Sequence, residues 1–401
     1  MKVAIGSQIR ISKPKPELVK WCQKELTLDN PQYAKLVRMN KWVGNTPKTV
    51  RLYEWDGDIL VLPFGCMDKV EEFCDKRNDM RFVMLAPKMV WYDADIPLYD
   101  YQQDAVKQAL SVYHGIIQAP AGSGKTQMGI ALAAALGRRC LWLTHTADLL
   151  NQSKERAEQY IDKKLIGTIT EGKVQIGKGI TFATIQTMSK IYLQSYHDTW
   201  DVVIVDECHR CAGSPTSVTM FSKVLNSLAA RHKYGLSATV HRADGLIKAT
   251  FALIGDVCHI VPEAAVADRI MKVTVCPVST GISPTMEVLD TDGTLVYAKL
   301  ISYLAECEAR NQLIVDKLVE NADHSNLILS DRLEHLRTLM DMLPEDLQRY
   351  AVIIDGKMQS KKAKEQRQLA LQQMRRGEKR YLFATYALAR EGLDIPRLDR
   401  L

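Results

Sequence analysis

The chain has 401 residues, of which 46% are apolar and 25% charged, and a formal net charge of +6. That is ordinary globular composition, and the length exceeds one comfortable core, so two to three domains are expected. No apolar run approaches the roughly 20 residues of a spanning helix, and no signal-peptide core follows Met1-Lys2-Val3-Ala4-Ile5; a cytoplasmic protein without a membrane role is expected.

Nine cysteines, an odd number scattered through apolar segments, read as reduced core residues. Only Cys208-x-x-Cys211 has metal spacing, and it lacks the second ligand pair that a zinc ribbon needs. The positive charge is uneven. Residues 1–51 hold eleven Lys/Arg against three acids, a local excess of +8, so the N-terminus suggests a polyanionic partner.

Residues 1–95 carry no phosphate motif and read as a small α+β domain. Pro16 opens a helix through about Leu26, Asp29-Asn30-Pro31 stops it, and Gln32 to Met39 reads as a second helix. Thr49 to Trp55, the turn Asp56-Gly57-Asp58 and Ile59 to Leu62 give a hairpin signal. Lys13, Arg38 and Lys41 are either solvated charges of a small domain or a grip on a duplex backbone; Trp42 among them favours the grip.

After the connector Asp95 to Gln103, the apolar run Gly115-Ile116-Ile117-Gln118 leads into Ala119-Pro120-Ala121-Gly122-Ser123-Gly124-Lys125-Thr126 and then a helical run to Leu136. Strand, tight loop and helix make a P-loop, with Ala119 in place of its usual first glycine. Gly122, Ser123 and Gly124 let backbone N–H groups cradle a polyphosphate at the positive end of the helix. Lys125 is expected to reach the β- and γ-phosphates of ATP, and Thr126 to ligate Mg²⁺.

Apolar strands at 140–143, 180–183, 202–205 and 234–237 then alternate with helices at 147–161 and 216–231, which predicts a parallel sheet covered on both faces. A second α/β set follows the pause at Pro262-Glu263, with helices at 303–319, 334–343 and 361–376 and strands at 326–329, 351–354 and 380–384. The expected domains are 1–95, 96–262 and 263–401. The strand Val202 to Val205 ends in Asp206-Glu207-Cys208-His209. Asp206 is placed to hold Mg²⁺, and Glu207 to polarise the attacking water, which with charge neutralisation is most of what γ-phosphate hydrolysis needs.

On these motifs and their order, residues 97–400 resemble the superfamily 2 DNA helicases and translocases, in the DECH-box branch that includes RecG, the TFIIH helicase and phage UvsW-type enzymes. The resemblance implies two tandem RecA-like parallel-sheet domains, preceded here by the small α+β domain, and an ATP-dependent DNA helicase in a bacterial or phage-infected cell. Tyr101-Gln102 resembles the Q-type motif, implying adenine recognition by Gln102, with Tyr99 where an arginine is common. Segments 142–152 and 183–188 look like motifs Ia and Ib, implying strand phosphate contacts by Thr144, Thr184 and Gln186. Segment 235–239 looks like motif III, implying that His209, Ser237 and Thr239 couple the ATP site to strand binding, with Arg242 in its extension; a satisfied core histidine is the alternative for His209. Segment 384–396 looks like motif V, implying that Thr385 touches phosphate while Gly392 and Asp394 face the nucleotide.

The same resemblance implies a continuation into an arginine-bearing Q-x-x-G-R-x-x-R motif, which does not occur before Leu401. These residues are therefore expected to be a shortened form of a longer helicase that binds ATP and hydrolyses it slowly. Forked or branched DNA is the expected partner. A duplex translocase and an ATP-gated nucleic-acid clamp are the alternatives.

Overall fold

The structure is a computed structural model describing all residues except 76–78, 171, 213, 242–244, 269–272, 284, 355–360 and 387–394, and without the side chains of 215–217 and 361–364. It divides into two compact units, Met1–Lys272 and Val273–Leu401.

The first unit opens with β1 (Lys2–Ile5), β2 (Gln8–Ser12), α1 (Pro16–Glu25), β3 (Thr27–Asp29), α2 (Pro31–Arg38), β4 (Thr49–Arg51), β5 (Glu54–Asp56), β6 (Ile59–Pro63), α3 (Met67–Glu72) and β7 (Met80–Phe82). Five strands form one sheet in the order β5-β6-β2-β1-β7, and β3 pairs with β4 in a separate ribbon. The single strand expected over 49–55 is thus two. Leu52 and Tyr53 turn inward between them and are buried, so β4 pairs back to β3 while β5 pairs with β6.

The division after residue 95 separates two sheets inside one unit. The N-terminal sheet shares its apolar core with Ala212, Val218, Leu246, Ala249 and Ala252 from beyond the P-loop. At this seam a Cβ on Gly65 would lie 2.4 Å from the Phe251 carbonyl, so only glycine permits the approach. Lys233 is buried there as well, donating from Nζ to the carbonyls of Ser7 (3.0 Å) and Leu225 (2.7 Å).

The unit continues with α4 (Asp100–Leu110), β8 (His114–Gln118), α5 (Lys125–Leu136), β9 (Cys140–Thr144), α6 (Ala147–Ala157), β10 (Ile166–Thr170), β11 (Lys173–Gln175), β12 (Ile180–Thr184), α7 (Ile185–Lys190), β13 (Val202–Asp206), α8 (Pro215–Ser227), β14 (His232–Ser237), α9 (Ile247–Ile254) and β15 (Val257–Ile260). The sheet order is β11-β10-β12-β9-β13-β14-β8-β15, parallel except for β11. Cys140 and Trp142 pack into one core layer, and Leu141 and Leu143 into the other. This two-sided burial is why the strands read as unbroken apolar runs.

The second unit carries α10 (Tyr297–Glu306), α11 (Glu308–Glu320), β16 (Asn326–Ser330), α12 (Leu333–Asp341), α13 (Glu345–Gln348), β17 (Ala351–Ile354), α14 (Lys361–Arg376) and β18 (Tyr381–Thr385), with a parallel sheet in the order β16-β18-β17. The helix expected over 303–319 is broken at Cys307, whose backbone is extended. Among the described residues, no helix is long and apolar enough to cross a membrane.

Candidate functional site

The P-loop lies at the carboxyl end of β8, where β14 fixes it: Gln118 is in register with Ser237, and Ala119 N–H donates to the Ser237 carbonyl over 2.9 Å. Gly122 and Gly124 adopt φ of 77° and 79°, the left-handed region that glycine occupies without strain. Gly124 caps α5 with no side-chain hydrogen bond, leaving the first-turn N–H groups of a 12-residue helix available to an anion. The Ser123 hydroxyl is buried with no hydrogen-bond partner among the described residues. Lys125 Nζ makes only long contacts to the Ala119 and Pro120 carbonyls, 3.4 and 3.5 Å, and lies 3.8 Å from Glu207 Oε1. Thr126, half-buried, is the second residue of the helix.

Asp206 ends β13. It is 6% exposed, its Oδ2 accepts from Ser153 Oγ at 3.2 Å, and its Oδ1 accepts from the Glu207 N–H at 3.0 Å. Burial, and then the charge of Glu207, push its carboxyl up to about 6. For Glu207, burial acts upward, but the His209 hydrogen bond and the charges of Lys125, His209 and Arg210 hold it below the usual carboxylate range. Glu207 has φ of +49°, an uncommon conformation for a residue with a Cβ and one that concentrates at functional sites.

His209 Nδ1 lies 3.2 Å from Glu207 Oε2 and 3.0 Å from Ser237 Oγ. Ser237 Oγ donates to the Thr239 carbonyl (2.7 Å) and accepts from Thr239 N–H (3.2 Å). With the serine hydrogen directed at Thr239, His209 must carry its proton on Nδ1 to bond Ser237. The three residues expected to couple are therefore brought together.

Gln102 is 2% exposed and turned into the P-loop: Nε2 donates to the Ser123 carbonyl at 2.8 Å, and Oε1 accepts from the Tyr99 N–H at 3.0 Å. Tyr101 OH donates to the same Ser123 carbonyl, and Tyr99 stacks on Tyr101. Gln102 is thus an architectural brace of the loop, whatever it does toward a base.

Thr144 and Thr184 are register partners at the carboxyl ends of β9 and β12. Thr144 is buried and donates its hydroxyl to the Thr146 carbonyl (3.0 Å), while Thr184 Oγ1 caps α7 by accepting from Thr187 N–H (3.3 Å). Gln186 Nε2 is 3.5 Å from His145 Nδ1. These three residues share one sheet edge. In the second unit, Thr385 ends β18 with a buried hydroxyl that has no hydrogen-bond partner among the described residues. Lys13, Arg38, Lys41 and Trp42 are exposed. Arg242, Gly392 and Asp394 lie outside the described residues.

Two contributors were not foreseen. Ser153 orients Asp206 from a buried position on α6; the signal was a polar residue on the inward stripe of Leu150, Ser153 and Ala157. Lys233 gave none, since a lysine inside a strand ordinarily reads as solvent-facing. Cys208 and Cys211 are buried core thiols, both pushed up by desolvation.

The family described as "Type III restriction enzyme, res subunit" matches residues 95–242. "Probable helicase D10" of Escherichia phage T5 is 26% identical over 361 residues, covering 86% of this chain and 71% of that protein. These similarities support a superfamily 2 helicase. "DNA 3'-5' translocase XPB2" of Sulfurisphaera tokodaii is 31% identical over 164 residues, covering 41% of this chain and 36% of the relative's length. In fold, the chain resembles the structure "S. cerevisiae Dbp5 bound to RNA and ADP BeF3" at TM-score 0.50 and 16% identity, covering 75% of this chain and 73% of that one. The fold is a tandem of RecA-like domains, and the family implies ATP use with a divalent metal.

The residues present fit that pair. An uncapped helix N-terminus, the unpartnered Ser123 hydroxyl and Lys125 suit a polyphosphate. Thr126 and the Asp206 carboxylate are the oxygen donors that a hard cation takes.

Proposed function

We propose that this helicase is an ATP-driven DNA motor that works on forked or branched DNA, as in replication, recombination or repair, with branch migration as its activity. The continuous path from Lys125 through Glu207 and His209 to Ser237 carries the reading, because it joins the phosphate-facing lysine to the strand that holds the P-loop in register. Lys125 and the α5 N-terminus hold the phosphates, and Thr126 and Asp206 hold Mg²⁺, which neutralises phosphate charge when bound. Glu207, kept ionised by His209 and Lys125, orients the attacking water. Thr144 and Thr184 spend their hydroxyls inside the protein, so backbone N–H groups of α6 and α7 and the Gln186 amide are the better candidates for strand phosphates at that edge. Thr385 and Arg242 are further candidates, and the basic N-terminal residues Lys13, Arg38 and Lys41, with Trp42 among them, grip the DNA.

The Sulfurisphaera tokodaii relative is named a DNA translocase, which leaves room for a second reading, a duplex translocase that does not separate strands. Two assays choose between them: strand displacement from a fork, and displacement of a triplex-forming strand from intact duplex. Fork displacement with ATPase stimulation by forks above plain duplex supports the first reading; triplex displacement alone supports the second.

A further inference from the structure

Between β3 and β4 the chain makes an excursion that belongs to no core. Leu28, Asn30, Leu52 and Tyr53 are buried at its root, and no residue from 31 to 50 is buried. The root is firm. Asn30 Nδ2 donates to the Pro47 carbonyl (2.7 Å), Asn30 N–H donates to the Lys48 carbonyl (3.0 Å), and Asn30 Oδ1 caps α2.

The tip is built as well. Asn40 (φ +52°) closes α2: its N–H donates to the Val37 carbonyl and the Lys41 N–H to the Leu36 carbonyl, the paired bonds of a Schellman stop. This places Lys41 and Trp42 directly past the helix end. The indole lies over Gly44, where an added Cβ would come 3.0 Å from the ring. Trp42 is nevertheless 89% exposed, and Val37 and Met39 beside it are 52% and 49% exposed. Between Asp29 and Glu54 the chain carries five Lys/Arg and no acid, and among the described residues Lys35, Arg38, Lys41 and Lys48 make no ion pair.

A polyanion answers the charge, and one with exposed π-faces also answers the aromatic surface. We infer that residues 31–50 form an arm that binds unpaired bases of a nucleic-acid strand, Trp42 stacking on a base while Arg38 and Lys41 hold its flanking phosphates. Intact duplex offers phosphates but hides its base faces, so the arm favours single-stranded segments over paired ones. This rests on the reading of the N-terminal basic surface as a nucleic-acid interface and assigns it a substrate.

The test is anisotropy titration of the whole chain with a labelled 12-nucleotide oligodeoxynucleotide and a blunt 12-base-pair duplex over a range of salt. Arg38, Lys41 and Trp42 are exposed and belong to no core, so the variants are expected to melt as the wild type does. Trp42→Ala should weaken single-strand binding roughly fivefold to a hundredfold, change duplex binding far less, and be largely rescued by Trp42→Phe. Arg38→Ala/Lys41→Ala should flatten the single-strand salt slope by about 1 to 1.5. If Trp42→Ala spares both probes or weakens both equally while the double variant still flattens the slope, stacking is wrong and the basic interface stands. If the double variant leaves the slope unchanged, the interface reading falls and the arm's substrate with it.

Discussion

His209 and Ser237 are joined at 3.0 Å, Nδ1 to Oγ, across the carboxyl ends of neighbouring strands, and the same ring nitrogen reaches Glu207 at 3.2 Å. Ser237 also accepts the Ala119 N–H through its main-chain carbonyl, so one residue touches both the P-loop and His209, the partner of Glu207. Any shift of β14 along its axis must alter both contacts. Ser237→Ala deletes the side-chain bond and keeps the main-chain one. It is expected to leave nucleotide affinity unchanged and to reduce nucleic-acid-stimulated ATP turnover roughly fivefold or more. Fluorescent-nucleotide titration beside steady-state ATPase assays checks this; a stimulated rate equal to wild type would remove the pair from coupling.

Gln102 allows a sharper separation of roles. Its amide accepts from the Tyr99 N–H and donates to the Ser123 carbonyl. Gln102→Ala leaves them without that partner, at a cost of about 1–3 kcal/mol, which in a unit of this size lowers Tm by roughly 2–12 °C. If the side chain only braces the loop, ATP and GTP lose affinity equally. A loss confined to ATP would instead establish adenine recognition.

How far the sequence disclosed this arrangement follows from distance along the chain. The P-loop and Asp206-Glu207 were legible because phosphate and metal chemistry needs adjacent residues at strand ends, and adjacency survives in one dimension. The two-faced sheet was legible from runs such as Val202 to Val205. By contrast β10, β11 and β15 were missed, being short or mixed with Gly, Thr and Lys. The shared core that binds residues 1–84 to Ala212 and Ala249 is a contact across more than a hundred residues, invisible to local patterning. Thr144 shows the same limit at a single side chain. Its motif position suggested a free hydroxyl, and only the fold reveals that the Thr146 carbonyl takes it.

Lys233 gives a pH dependence with a definite sign. Burial lowers its ammonium from 10.5 to about 7, while it donates to Ser7 and Leu225 and sits 4.7 Å from the Phe64 ring centre. Below pH 7 the lysine is charged folded and unfolded alike, and the burial penalty is fully present. Between about 7 and 10.5 the unfolded chain binds the extra proton, so stability rises with pH by up to about 1.4 kcal/mol per unit. Wild type should therefore gain roughly 3–5 °C in Tm relative to Lys233→Met for each pH unit from 7.5 to 9. Parallel melting curves that stay evenly spaced would show that Lys233 remains protonated.

Glu207 is where electrostatics and backbone conformation coincide. Its carboxylate stays ionised because His209 and Lys125 outweigh its burial, and its φ of +49° aims it differently from a residue continuing β13. Glu207→Gln preserves size and one side-chain acceptor oxygen but removes the charge proposed to orient a nucleophilic water. Nucleotide affinity should hold or rise, since Lys125 loses a competing anion at 3.8 Å. Turnover should fall by about 10²–10⁴. Asp206→Asn, in contrast, removes a proposed metal donor and should weaken nucleotide binding in Mg²⁺ more than in EDTA. Titrating both variants with a fluorescent nucleotide under the two conditions assigns the roles. Equal behaviour of the variants would mean that the adjacent carboxylates share one task, and the division between holding metal and orienting water would have to be abandoned.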